Sequence, residues 1–87
     1  SHPSTLICHH NLARALIDMK RYAEAEALER ETMALALPVF GAEHMFIGVI
    51  AAAHAEAMGY LGRMQESERQ FADAIELLDR ALGPGNE

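Results

Sequence analysis

The chain has 87 residues, of which 51% are hydrophobic and 6% aromatic, with no tryptophan; the abundance of Ala, Leu, Glu and Met is typical of helices. This length allows one domain at most, near the size at which a single core only just outweighs chain entropy. The formal net charge of −6 argues against nucleic acid and anionic membrane surfaces as partners, because both are negatively charged.

The first predicted helix covers residues 4–19, where apolar residues recur at spacings of three and four. The stripe consists of Leu6, Ile7, Leu12, Ala13, Leu16 and Met19. Ser4 or Thr5 is available as the N-terminal cap after Pro3. Residues 20–21 separate this run from the next periodic run, so we expect a tight turn between antiparallel helices there.

The second predicted helix covers residues 22–40. Its packing side is predicted to hold Ala25, Leu28, Thr32, Leu35 and Val39, and its outer side Glu24, Glu26, Glu29, Arg30 and Glu31. Pro38 lacks an amide donor and collides with the carbonyl of Ala34, which costs about 3 kcal/mol inside a helix. We therefore expect this helix to kink or stop near Leu37.

A second hairpin is predicted over residues 45–61 and 64–82, with a turn at Gly62 and Arg63. Its two stripes are Ile50, Ala53, His54, Ala57, Met58 and Leu61, then Phe71, Ala74, Ile75, Leu78 and Leu82. Gly48 and Gly59 each cost about 1 kcal/mol in a helix, so we expect them to allow a neighbouring helix to come close. Met45 and Phe46 either fill the joint between the hairpins or stay exposed, and we favour the joint.

The two hairpins repeat at an offset of 42 residues. Aligning residues 1–45 with 43–87 gives eight identities, where composition alone would give roughly four. The prediction is an all-α fold of two stacked antiparallel helix hairpins with four helices, divided into units 1–42 and 43–87. The segment Gly83-Pro84-Gly85-Asn86-Glu87 is similar to the start of another unit, so we expect a longer array.

Several motifs resemble the tetratricopeptide repeat in its long, kinesin-light-chain-like form with a 42-residue period. They are Asn11-Leu12-Ala13, Arg21-Tyr22, Glu24-Ala25-Glu26 and Gly41-Ala42-Glu43-His44. The second unit matches at Ala55, Gly62, Arg63, Glu66, Phe71, Ala74 and Gly83, but has Ala53-His54 in place of Asn-Leu. The resemblance implies a right-handed superhelix whose first helices line a concave groove that binds a peptide or protein segment, without catalysis.

The resemblance also implies which residues face the groove. They are Ile7, His10, Asn11, Arg14 and Asp18 from the first unit, and Val49, Ala52, Ala53, Glu56 and Tyr60 from the second. Asn11 would pair with a ligand backbone, Arg14 with a carboxylate and Glu56 with a basic side chain. Two alternatives stay open: a solvated face without a ligand, or a structural segment that self-associates through its uncapped repeat faces.

Other side chains give little sign of a site. The five histidines lack the spacing of a metal centre, and we expect neither a metal nor a cofactor nor enzymatic activity. His54 is expected to be a hydrogen-bonded core histidine, Cys8 a buried inert thiol, and Met19 and Met58 core residues. One cysteine and the absence of a signal peptide or a long apolar run favour the cytoplasm.

Overall fold

The computed structural model describes residues 2–83 and consists of four helices. They are α1 (Pro3–Asp18), α2 (Tyr22–Phe40), α3 (Met45–Tyr60) and α4 (Met64–Leu82). No strand occurs in this range, which confirms the predicted all-α class. α1 begins and ends one residue earlier than predicted, and α3 ends one residue earlier. The predicted start of another unit at residues 84–87 lies outside the described residues.

The first helix of each hairpin is capped by a histidine. The imidazole Nδ1 of His2 accepts from the amide of Ser4 at 3.1 Å, and Nδ1 of His44 accepts from the amide of Phe46 at 3.0 Å. The expectation that Ser4 or Thr5 caps α1 was wrong, because Pro3 is itself the first helical residue and moves the cap position back to residue 2. Both hairpins therefore begin with the same local structure.

The turn inside each hairpin has one residue in the left-handed region. Lys20 has φ 64° and Gly62 has φ 88°. The following amide reaches back to a carbonyl five residues earlier, Arg21 to Leu16 at 2.8 Å and Arg63 to Met58 at 2.9 Å. This pattern satisfies helix-terminal carbonyls, and it confirms the predicted turns.

α3 is the central helix of the fold, since it packs against both α2 and α4, while α1 packs mainly against α2. The main core contains Leu6, Ala36, Ile47, Ile50 and Leu77, with Met33, Phe40 and Phe46 packed against it. Phe46 thus fills the joint between the hairpins, as expected, but Met45 is exposed. A second cluster of Leu16, Ile17, Ala25 and Ala57 lies towards the turns. None of the helices described is both long and apolar enough to cross a membrane.

The two glycines of α3 allow close packing, as predicted. A Cβ atom on Gly48 would lie 2.9 Å from the side chain of Leu78, and one on Gly59 would lie 3.1 Å from Oγ of Ser67. At the equivalent place in the first hairpin, Leu6 and Ala36 are both fully buried. The large and the small residue have therefore exchanged helices between the hairpins: Leu6 with Ala36 in one, Gly48 with Leu78 in the other.

Pro38 does not end α2, which continues to Phe40. Of the two predicted outcomes, the stop near Leu37 was wrong, since Pro38 lies in the last turn and only two helical residues follow it. The kink stays a prediction. The amide of Gly41 still bonds to the carbonyl of Leu37 at 2.9 Å, so the helix end is intact.

Several residues predicted to be buried are exposed. Met19 is 54% exposed, and Cys8 is also exposed rather than buried. The same holds for Ile7, Leu12, Leu35, Val39, Leu61, Ile75 and Leu82. The outer helices α1 and α4, which carry Ile7, Leu12, Ile75 and Leu82, each have a side that no other described helix covers, so a stripe judged from periodicity alone is too wide on these two helices. Met58 is buried as predicted.

Two acidic residues of α2 are buried, contrary to the prediction that they face outward. Glu29 is fully buried and Glu26 is 9% exposed. α2 packs against both α1 and α3, so its buried sector is wider than one apolar stripe. Nδ1 of His10 lies 2.6 Å from Oε2 of Glu29, while Oε1 of Glu29 has no hydrogen-bond partner among the described residues. Burial raises the pKa of the Glu29 carboxyl, and the hydrogen bond from His10 offsets this only in part.

The exchange of large and small residues predicts a rescue. Gly48→Leu should lower the free energy of unfolding by about 1–3 kcal/mol, because the new side chain overlaps Leu78. Adding Leu78→Ala should restore much of this loss, because the pair then has the sizes found at Leu6 and Ala36. Urea unfolding of the single and double variants, followed by circular dichroism, measures the coupling. Strictly additive losses would contradict this account.

The buried carboxyl predicts a pH dependence. Because the folded-state pKa of Glu29 is raised, its contribution to stability is present at low pH and is lost as the pH rises through that pKa. The wild-type chain should therefore lose stability relative to Glu29→Gln as the pH rises from about 4, near the ordinary pKa of a glutamate, through the raised pKa of Glu29. Urea unfolding of both proteins across this range gives the difference, and the exposed Glu31→Gln is the control. A constant difference would show that burial does not perturb this carboxyl.

Candidate functional site

A cavity of about 280 Å³, which we call the groove pocket, is lined by residues of α1, α3 and α4. α1 contributes two residues, α3 contributes four, and α4 closes one side. Its lining consists of His10, Arg14, Val49, Ala52, Ala53, Glu56, Phe71 and Leu78. Both hairpins are needed to form it, since no single hairpin holds all of these side chains.

Six of the ten predicted groove residues line this pocket: His10, Arg14, Val49, Ala52, Ala53 and Glu56. The other four do not. Ile7, Asn11 and Asp18 are exposed on the same face of α1 as Arg14, because positions three, four and seven apart on a helix share a side. Tyr60 is 56% exposed, and its ring stacks on Tyr22 with centroids 4.3 Å apart. These residues extend the pocket into a longer polar face without lining it.

Arg14 and Glu56 form an ion pair across the groove pocket. Nη1 of Arg14 lies 2.6 Å from Oε1 of Glu56, and the two side chains are 45% and 32% exposed. They occupy equivalent positions, 42 residues apart. An ion pair with this exposure stabilises a fold by roughly 0–1 kcal/mol. A ligand with a charged group can therefore compete for either side chain at little cost.

His10 forms the floor of the pocket beside this pair. Its side chain is 12% exposed, and its ring meets the ring of Phe46 edge-on with centroids 5.8 Å apart. When Glu29 is ionised, Nδ1 carries the proton, because a carboxylate only accepts hydrogen bonds. Glu29 thus fixes the orientation of the imidazole and leaves Nε2 for other partners.

The sequence reasoning missed Phe71 and Leu78 as part of the site. The predicted packing stripe of α4 includes both residues. In the structure both are only half-buried, and they form the apolar wall of the groove pocket. Their spacing of seven residues places them on one side of the helix. No signal in the sequence distinguished the exposed edge of this stripe from its buried centre.

The chemistry of the pocket suits binding. An apolar wall adjoins an arginine, a glutamate and an imidazole, which together can hold a side chain and orient a polar group next to it. Among residues 2–83 no group of three His, Cys, Asp or Glu side chains has the arrangement of a metal site. His54, expected in the core, is half-buried and hydrogen-bonded to Glu26 and Gln70, as predicted for a satisfied histidine.

Comparison with known proteins gives one similarity to a protein family, over part of the chain. Residues 5–44 match the family model described as "Tetratricopeptide repeat", a range that covers most of α1, all of α2 and the start of the next hairpin. Neither the curated proteins nor the solved structures gave a match. Repeats of this kind serve in general as protein interaction modules and typically are not catalytic. Residues 5–44 are therefore similar to a tetratricopeptide repeat.

Proposed function

We propose that this chain is a non-catalytic interaction module that binds a peptide or protein segment along the concave face of α1 and α3. The observation that carries the proposal is the groove pocket, to which the first hairpin contributes His10 and Arg14 and the second hairpin contributes Glu56 and an apolar wall. The family match to residues 5–44 supports an interaction role in general. The expected ligand is an extended or helical protein segment, without cofactor or metal.

The ligand contacts follow from the chemistry of the face. Phe71 and Leu78 would pack against an apolar side chain, while Arg14 and Glu56 exchange their mutual pair for groups of the ligand. Asn11 would hold the ligand backbone through its amide, because it offers a donor and an acceptor at once. Ile7, Asp18, Val49 and Tyr60 would extend the contact along the groove. This pattern fits a segment of mixed charge with one central apolar residue.

We further propose that residues 43–87 form a second repeat of the same long type, with the 42-residue period of kinesin-light-chain-like arrays. The matching histidine caps and turns, and the Arg14–Glu56 pair at equivalent positions, support it. A cytoplasmic location is proposed on the single cysteine, since one thiol closes no internal disulfide.

A second candidate function is self-association, for which the outer side of α4 gives a specific observation. Ile75 and Leu82 are 57% and 60% exposed. They correspond to Met33 and Phe40 of the first hairpin, which pack beside the core that α3 completes. A second copy of the chain is the occupant we consider, because the α4 side repeats the positions that already receive a helix within the chain.

Groove binding predicts that two substitutions on α1 weaken one ligand. Peptides selected from a random displayed library on the immobilised chain should bind Asn11→Ala and Arg14→Ala about tenfold more weakly, since each variant loses a hydrogen-bonding group. Isothermal titration calorimetry with a selected synthetic peptide measures the affinities. Arg80→Ala is the matched control, because Arg80 pairs with Glu43 and Glu76 away from the groove. A library that yields no specific peptide, or equal affinities for all variants, would refute the proposal.

Self-association predicts a concentration-dependent mass. Light scattering of the wild-type chain should show a rising molar mass with concentration, and Ile75→Glu should hold it at the monomer value, because a buried charge opposes an apolar interface. Met19→Glu is the control, because Met19 lies in the turn between α1 and α2 and is 54% exposed. This variant should associate like the wild type. A wild-type chain that stays monomeric at every concentration would contradict self-association and leave groove binding as the proposed function.

A further inference from the structure

A cavity of about 700 Å³ lies between α2 and α4, with α3 as its floor. We call it the outer cleft. Three arginines line it: Arg30 from α2, and Arg63 and Arg69 from the start of α4 and its second turn. Neither the family match nor the groove assigns a role to this cleft.

The outer cleft is separate from the groove pocket. The two cavities share no lining residue. α3 contributes His54 and Met58 to the outer cleft but Val49 and Glu56 to the groove pocket, and at 100° per residue these pairs lie on opposite sides of the helix. A ligand in the outer cleft would therefore leave the concave face free.

The floor of the outer cleft is held by the imidazole of His54. Its Nε2 lies 2.7 Å from Oε2 of Glu26 on α2, and its Nδ1 lies 2.7 Å from the side-chain amide of Gln70 on α4. Burial opposes ionisation of Glu26, but the hydrogen bonds from His54 and Arg30 outweigh it and hold the pKa of this carboxyl below its usual value. The floor is thus a preorganised polar surface that joins both walls.

The arginines of the cleft have more N–H donors than their hydrogen bonds to neighbouring carboxylates use. Arg30 directs Nε and Nη2 to Glu26, and Arg63 directs the same two nitrogens to Glu66. Each of these carboxylates thereby engages both of its oxygens, while each guanidinium keeps Nη1 for another partner. Arg69 enters no ion pair with any residue from 2 to 83, so all five of its N–H groups are available.

One acidic group, Asp73, lines the cleft without an ion pair in the described range. The two arginine–glutamate pairs cancel in charge, and Asp73 balances Arg69, so the cleft is locally neutral within a chain of net charge −6. Attraction at long range therefore does not favour an anion here, and the net charge of the chain opposes its approach. Affinity has to come from short charge-assisted hydrogen bonds, for which spare guanidinium donors are the suitable groups.

We propose that the outer cleft binds the phosphoryl group of a small phosphorylated molecule. A phosphoryl group presents three oxygens, which suits a cavity lined by guanidinium donors from both α2 and α4, whereas a carboxylate offers two oxygens in one plane. The cavity is much larger than phosphate and lies within the size range of small-molecule sites, about 300–1,000 Å³. The remaining volume would hold the rest of the phosphorylated molecule, next to the side chain of Met58.

Nuclear magnetic resonance of the full chain tests the proposal with inorganic phosphate as the probe, in a non-phosphate buffer at constant ionic strength. Saturable shifts are expected at Nε–H of Arg69 and Arg30 and at the Gln70 side-chain amide. Arg69→Gln should weaken binding about tenfold, since it removes charge-assisted hydrogen bonds. Arg80→Gln makes the same charge change outside the cleft and should bind like the wild type. Acetate at equal charge concentration should give no saturable shifts there.

Three results would overturn the proposal: shifts that stay linear in phosphate concentration, equal weakening by Arg69→Gln and Arg80→Gln, or acetate binding as tightly as phosphate. The first two indicate nonspecific ion association, and the third indicates a carboxylate site. Both substitutions are at exposed side chains, and circular dichroism of each variant establishes that the helices are retained. The groove experiments above do not depend on this outcome.

Discussion

The packing of α3 between α2 and α4 is the constraint on which the other features depend. A helix covered on two sides has to be apolar and narrow, and α3 buries Gly48, Ala53 and Ala57 along its length. Where α3 has a small residue, the neighbouring helix has a large one: the side chain of Leu78 on α4 occupies the space next to Gly48. Because interiors pack at nearly crystalline density, a size change on one helix has to be met on the other. The exchange of large and small residues between the two hairpins keeps the packed volume about the same although the residues differ.

Polar side chains then join the helices in pairs that the apolar core does not determine. His10 connects α1 to α2 through Glu29, and His54 connects α3 to both α2 and α4. The hydroxyl of Ser67 donates to the carbonyl of Ala55 at 2.7 Å, which ties α4 to α3. Buried polar groups are costly unless they are paired. These links favour one relative placement of the helices over others of similar apolar area.

The same central helix separates two surfaces of different character. On its concave side, small residues leave the groove pocket open, with an exposed ion pair that costs little to break. On its other side, His54 supports a cleft rich in guanidinium donors. The family match covers only the first hairpin and the start of the second, yet both surfaces require the second hairpin. Interaction and small-molecule binding are therefore properties proposed for the pair of hairpins and not for one repeat.

Periodicity along the chain was sufficient to predict four helices, their turns, and the glycines that allow close approach, because spacing and backbone preference are local properties. The resemblance to the tetratricopeptide repeat, and not periodicity, implied the face that holds His10, Arg14, Val49 and Glu56. Which side of each stripe is covered depended on how many helices surround it. Glu29 is buried because α2 has two neighbours, whereas Ile75 is exposed because the outer side of α4 has none in the described chain. The spacing of residues along the chain does not show how many helices pack against a given helix, and this number decides which of its side chains are buried.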